Sequence, residues 1–247
     1  MSRESLSFLL IQARKLDDPV RGEEFDAFAL RAGVPRERIK VVDMTRDSLT
    51  MALTEGIDAV LVGGAGQYSV LDDDDGIRGG IDFLGELADR GFPTFASCFG
   101  FQALVLALGG EVICDEDNAE VGTFEVSLTA EGRADPVFGE LPERFQAQEG
   151  HKDRATVMPE GTVNLARSPL APFQALRVEG KPVYATQFHP ELDQASQKLR
   201  FARYMPEYGR LFGQEEAQRI MDGIAPSPAT HGLLDVFVRR ILLGETS

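Results

Sequence analysis

The chain has 247 residues, 43% of them hydrophobic and 26% charged, a balance that builds a core and excludes intrinsic disorder. Its 40 acidic side chains against 25 basic ones give a formal net charge of −15, a field that repels phosphate backbones and anionic lipid, so neither nucleic acid nor a membrane is an expected partner. Two cysteines are too few for a disulfide scaffold, and the apolar stretch from Phe8 to Ile11 is too short for a signal-peptide core or a membrane span, which makes the cytoplasm the expected location.

Residues 5–12 read as a buried strand, and Glu23 to Ala32 follow with Phe25, Phe28, Ala29 and Leu30 at helical spacing. Ile39 to Val42 reads as a second strand and Leu49 to Glu55 as a short helix. Ala59 to Val62 reads as a third strand running into Gly63-Gly64. Ile77 to Arg90 is a predicted helix closed by Gly91, Phe92 to Ser97 a strand, and Phe99 to Leu108 an apolar helix stopped by Gly109-Gly110. Strands alternating with helices imply a mainly parallel sheet with helices on both faces. After residue 110 short alternating runs split by Gly and Pro predict antiparallel strands, so the sheet continues as a mixed one. From Asp193 the pattern turns helical, over Lys198 to Tyr204, Glu215 to Gly223 and Gly232 to Leu243. The Asp72 to Asp75 run reads as a solvated loop, because four consecutive acids cannot all face one ion. The three histidines have no His or Cys partner at ligand spacing, so no zinc pattern is present in the sequence.

Chemistry concentrates at three places. Cys98 stands where a strand gives way to a helix, a junction that projects its side chain from the sheet edge and sets the sulfur at a helix N-terminus, where a thiolate is favoured; an inert buried cysteine is the alternative. His189-Pro190-Glu191 follows a strand, and side chains two apart in an extended segment share a face, so the carboxylate can reach the imidazole. The glycine-rich loop after Val62 lacks the Lys-Ser/Thr of a P-loop and the spacing of a dinucleotide fingerprint. Cys114, with acids around it that raise its pKa, is expected to be structural.

The run from Pro93 to Val112 resembles the cysteine segment of class I glutamine amidotransferases, with Pro93, Cys98, Gly100, Gln102, Gly109 and Gly110 matching; Ala96 stands where the family usually has Gly, and Phe101 where many members have His. Gln187-Phe-His-Pro-Glu191 resembles the second signature of the same family. The resemblance covers about residues 5–192 and extends to stand-alone proteins similar to the glutaminase half of GMP synthase. It implies a flavodoxin-like α/β fold with a mixed, mainly parallel central sheet flanked by helices. Residues 1–195 would form the amidotransferase domain and 196–247 a helical C-terminal extension packed on it.

For the site, the resemblance implies Cys98 as nucleophile, His189 and Glu191 as its activating pair, and the backbone amides of Gly64 and Phe99 as the oxyanion hole. Gln102 would line the substrate pocket, with His151 and Asp153 at its rim. The implied reaction is hydrolysis of the side-chain amide of glutamine through a thioester, with no cofactor, the ammonia passing to a synthetase subunit. Two other readings stay open: a γ-glutamyl peptidase-like hydrolase using the same triad, and a non-catalytic binding or regulatory module.

Overall fold

The computed structural model of the protein describes residues 2–245; Met1, Thr246 and Ser247, at the outer ends of the two expected units, lie outside the described residues. The elements run β1 (Phe8–Ala13), α1 (Val20–Ala32), β2 (Ile39–Asp43), β3 (Ala59–Ala65), α2 (Asp75–Arg90), β4 (Thr94–Ser97), α3 (Phe99–Ala107) and β5 (Glu111–Cys114). There follow β6 (Glu120–Leu128), α4 (Ala130–Ala134), β7 (Arg144–His151), β8 (Asp153–Val157), β9 (Thr162–Arg167), β10 (Ala175–Val178) and β11 (Val183–Thr186). The chain then turns helical, with α5 (Gln194–Arg203), α6 (Met205–Phe212), α7 (Gln214–Gly223) and α8 (Leu233–Phe237), the last continued by a π-helical turn over Val238–Leu242. Among the described residues no helix is long and apolar enough to cross a membrane.

Nine strands form one sheet in the order β2-β1-β3-β4-β11-β10-β9-β6-β7, and β5 pairs with β8 in a separate ribbon. The neighbours from β2 to β11 are all parallel. Those from β11 to β7 are all antiparallel. The expected mixed α/β sheet flanked by helices is therefore the fold.

The unbroken apolar run of β1 serves two cores. Phe8 and Leu10 face a layer with Phe28 of α1 and Leu234 and Phe237 of α8, whereas Leu9 and Ile11 face Leu84 and Leu87 of α2 and Leu104 of α3. A strand covered on both faces has no polar alternation to show, which is why this half reads from sequence as blocks of Val, Leu and Ile. Helix α2 starts where the Asp74 side chain accepts from the Ile77 N–H at 3.0 Å and ends at Gly91, whose φ of 63° supplies the left-handed C-cap. The acidic run is thus partly a helix cap: Asp74 caps, Asp75 pairs with Arg78 at 2.9 Å, and Asp72 accepts from Ser69 N at 2.8 Å.

One local expectation needs correction, and two elements were not foreseen. Leu49 to Glu55 does not form an α-helix; only Met51–Thr54 closes a 3₁₀ turn, because β-branched Thr50 and Thr54 and the left-handed Gly56 leave too few residues to repay helix nucleation. Strand β7 runs through the segment expected only to carry the pocket rim at His151, and it does not read as a strand because apart from Phe145 and Ala147 its buried side chains are Gln148, Glu149 and His151. Helix α6, carrying Pro206 in its first turn and Gly209 in its middle, escaped the propensity reading.

The C-terminal helices divide between two tasks. Phe237 of α8 meets Phe95 edge-on at 5.5 Å and Tyr184 at 5.9 Å, inside the same core as β1 and β4. Helices α5 and α7 pack Phe201 and Ala217 against Val121 of β6, with Tyr208 and Phe212 of α6 beside them.

Candidate active site

The C-terminal ends of β3, β4 and β11 lie side by side, and each carries a segment singled out in the sequence. Such a row of strand ends is where open α/β sheets bind their ligands. Cys98 follows β4 directly and caps α3, with φ 53° and ψ −105°; it is the one non-glycine residue at positive φ among the described residues. That conformation is costly for a side chain. It is held by the Cys98 N–H, which donates to Thr186 O at 2.8 Å, and by the Gln102 N–H, which donates to Cys98 O at 3.1 Å. Gly100 is required by close approach, since a Cβ there would lie 2.9 Å from Val62. Ala96, in place of the family glycine, sits in extended β4 opposite Val62 and Ala185, where a methyl group fits without strain.

His189 follows β11 by three residues, its N–H donating to Gln148 O at 2.9 Å. Its Nδ1 lies 2.7 Å from Glu191 Oε1, which fixes the ring and leaves Nε2 for Cys98. Gly64 closes the group: a Cβ there would stand 2.8 Å from His189 Cε1 and 3.6 Å from both His189 Nε2 and Cys98 Cβ. Phe99, the first residue of α3, has an N–H without an intrahelical acceptor, in line with the helix dipole.

Electrostatics tie the three side chains together. Burial pushes the His189 pKa down, but the charges of Glu191 and Cys98 and hydrogen bonds to both outweigh it and lift it to about 9. Burial pushes Glu191 up, yet His189 and then Arg200 hold it at about 2. Arg200, from α5, places Nη1 3.4 Å from Glu191 Oε1 and is itself buried, a contact that no motif in the sequence announced.

A cavity of about 780 Å³ opens over Cys98 and His189. Gln102 lines it, donating to Asp153 O at 2.7 Å and to Gln187 Oε1 at 3.3 Å, so its amide is held. His151 also lines it, with Nδ1 3.1 Å from Asp153 O and Nε2 turned away to Glu120 and Glu149. Those three residues offer ligating atoms within 4.8 Å of one another, a grouping that no His or Cys spacing in the sequence announces. Burial, Glu120 and Cys98 push the Glu149 carboxyl well above the usual range.

The far wall belongs to the helices after β11: Tyr204, Tyr208 and Arg210 face the cavity. Tyr204, half-buried, is anchored by donating to Asp18 at 2.9 Å and accepting from Arg14 at 3.0 Å, and Arg14 is paired with Glu24 at 2.9 Å, with Asp18, Arg14 and Glu24 all buried. Cys114 lies exposed on β5, does not line the cavity, and has its thiol pushed up by partial burial and by Asp153.

Solved structures share this architecture. A glutamine amidotransferase from Thermotoga maritima superposes with a TM-score of 0.72 over 97% of this chain and 99% of its own at 17% identity. A glutamine amido transferase from Methylobacillus flagellatus gives 0.69 over 98% and 96% at 18% identity. Among curated proteins, the glutamine-hydrolyzing GMP synthase of Marinobacter nauticus is 30% identical over 174 residues, 67% of this chain and 31% of that one. A glutamine-hydrolyzing GMP synthase subunit of Methanocaldococcus jannaschii is 34% identical over 100 residues, 40% of this chain and 51% of the relative. The chain thus spans about half the length of these relatives or less. The family model described as glutamine amidotransferase class-I matches residues 24–204, and the chain belongs to that family.

Proposed function

We propose that the protein hydrolyses the γ-amide of glutamine or of a γ-glutamyl compound, with Cys98 as nucleophile. The observation that carries this reading is the seating of the His189 ring between Glu191, at 2.7 Å from Nδ1, and the Cys98–Gly64 pair. A cysteine with a base at its sulfur and a carboxylate behind the base is the arrangement acyl transfer needs. In this mechanism the Cys98 thiolate attacks the amide carbon, and the Gly64 and Phe99 amides receive the developing oxyanion. His189, as imidazolium, protonates the leaving nitrogen, so ammonia or an amine departs and a thioester remains. The now neutral imidazole takes a proton from water, whose oxygen attacks the thioester, and glutamate leaves as Cys98 is restored. Glu191 keeps the proton on Nδ1 throughout, and Arg200 holds Glu191. Gln102 and His151 border the substrate. In this reading residues 1–195 are the amide-cleaving unit and 196–247 its extension, with Tyr204 and Tyr208 walling the cavity.

A cavity of about 780 Å³ lies in the range that encloses drug-sized ligands, more room than free glutamine fills. It favours a γ-glutamyl substrate with a substituent beyond the amide nitrogen. Glutamine itself, with ammonia handed to a synthetase subunit, is the other reading. Glutamate release measured with glutamine and with γ-glutamyl dipeptides separates the two. An electrophilic glutamine analogue followed by peptide mapping locates the nucleophile. Label on Cys114 instead of Cys98 would overturn the site assignment, and no glutamate from any of these substrates with or without a synthetase partner would leave a binding module in place of an enzyme.

A further inference from the structure

Behind the wall formed by His151 lie two carboxyl groups that the amide chemistry does not use. Glu120 of β6 and Glu149 and His151 of β7 are brought together because Glu120 pairs with His151 across the antiparallel ladder and Glu149 sits two residues back on the same face. Glu120 and Glu149 are wholly buried and His151 is 4% exposed. Buried charges are expected to be paired or to hold a metal.

The hydrogen-bond accounting here does not close. Gln174 donates to Glu120 Oε2 at 2.6 Å, but Glu120 Oε1 and both carboxylate oxygens of Glu149 are buried without a donor. His151 sharpens the point. Its Nδ1 faces the Asp153 carbonyl, which can only accept, so the Nδ1 position carries the proton. The other ring nitrogen, Nε2, stands 3.1 Å from a carboxylate oxygen of Glu120 and 3.5 Å from one of Glu149, and in the Nδ1–H tautomer it presents a lone pair to them. Three acceptor atoms that converge in this way need either a proton or a cation between them, and metal content tells the two apart.

The two distances from Nε2 fit a cation. With metal–ligand bonds of about 2.1 Å, neighbouring ligand atoms are about 3.0 Å apart in an octahedron and about 3.4 Å apart in a tetrahedron. The outer partners fit as well: a ligating histidine commonly gives its other N–H to a carbonyl, and a ligating carboxylate is itself hydrogen-bonded, as Asp153 O and Gln174 provide. We propose that Glu120, Glu149 and His151 form a binding site for one divalent transition-metal cation, reached from the cavity past His151 and distinct from the Cys98–His189–Glu191 group. Bound there, the ion would knit β6 to β7 and offset the negative charge that Glu149 presents towards Cys98. The site stands on its own geometry and does not depend on the amide-hydrolysis reading.

The test is metal content. Full-length protein stripped with chelator is incubated separately with Zn²⁺ and with Mn²⁺, freed of excess ion by gel filtration and assayed by plasma mass spectrometry, with isothermal titration alongside. The expected result is about one ion per chain, reduced at least tenfold in Glu149→Gln and in Glu120→Gln, and retained in Cys98→Ser. The Mn²⁺ form should show electron-spin-echo coupling to a single imidazole nitrogen, a reading on the wild type that stands even if a variant fails to fold. Less than about a fifth of an ion per chain with both metals would mean that protons alone close the cluster and would overturn the proposal. Loss of the ion in Cys98→Ser, or its retention in folded Glu149→Gln, would overturn it too, by moving the ion elsewhere.

Discussion

The two halves of the sheet furnish the cavity in different ways. The parallel half delivers Gly64, Cys98 and His189 from the ends of adjacent strands β3, β4 and β11, each residue within a few positions of the strand that aims it. The antiparallel half and the helices after β11 deliver Glu120, Glu149, His151, Arg200 and Tyr208 from segments far apart in the chain. In the first half, geometry is local and the proposed reactive groups stand at the cavity surface. In the second, geometry comes from long-range assembly and supplies walls, buried charge and support. If the difference is real, substitutions in the first half should remove chemistry, and those in the second should change binding or support.

The largest effect is expected at Cys98. Cys98→Ser should lower glutamate release by about 10³-fold or more while leaving the thermal midpoint near that of the wild type, because loss of the nucleophile leaves only binding and oxyanion stabilisation. Cys114→Ser, exposed and off the cavity, should stay within about twofold. Equal losses in the two variants would break the assignment.

Glu191→Gln should follow, with kcat down by about 10² to 10⁴-fold through loss of the correct His189 tautomer. The His189 pKa, held at about 9 partly by Glu191, should fall, and the alkaline limb of the activity profile should move to lower pH. Stability carries a signed counterpart. The His189 pKa is raised on folding from 6.5, so its contribution is complete below pH 6.5 and is lost as pH rises through 9. Glu191 is depressed from 4.5, so its contribution is complete above pH 4.5 and is lost as pH falls towards 2. The His189–Glu191 ion pair is the leading favourable cause of both shifts, with Cys98 adding to the first and Arg200 to the second. The difference in unfolding free energy between wild type and Glu191→Gln should therefore plateau between pH 4.5 and 6.5 and shrink on either side. The shift of Glu191 from 4.5 to about 2 sets that plateau on the order of 3 kcal/mol. A difference independent of pH would mean that the pair is not formed.

Gly64→Ala should cost about 10²-fold in kcat, since the new methyl group would stand 2.8 Å from His189 Cε1 and displace the ring. A larger loss in Gly64→Ala than in Glu191→Gln would put more weight on the β3 loop than its contacts imply.

The same division explains what the sequence disclosed. The strand-turn-helix around Cys98 and the extended run from His189 to Glu191 are short, and their chemistry follows from neighbours in the chain, so the site-bearing half and its fold class were legible. The Gly64 approach to His189 was not derivable from spacing; Gly64 entered only through the family resemblance, as an oxyanion donor. Glu120, Glu149 and His151 were illegible as a group, because a buried carboxylate in a strand looks like a solvent-facing one until the partner strand is known. Arg200 reads as a surface helix residue until Glu191 and Glu23 appear beside it. Helix α6, with Gly209 in its middle and Pro206 in its first turn, hid the cavity wall for the same reason: its order comes from packing Tyr208 on Phe201 at 4.5 Å and not from propensity.

The smallest effect, and the one that tests the wall directly, is expected at Arg210. Its guanidinium lines the cavity from α6, stays largely exposed, and is joined to Glu207 at 3.4 Å. An exposed charge of this kind is worth about 1 kcal/mol or less, which is about fivefold in an equilibrium constant. Arg210→Ala should therefore raise KM about two- to fivefold for a γ-glutamyl dipeptide bearing a free carboxylate. It should leave KM for glutamine and kcat for both substrates unchanged, and the dipeptide effect should fade as salt screens the charge. A fall in kcat, or an equal rise in KM for glutamine, would place Arg210 at the reacting end of the cavity and erase the distinction between a helical wall that selects and strand ends that react.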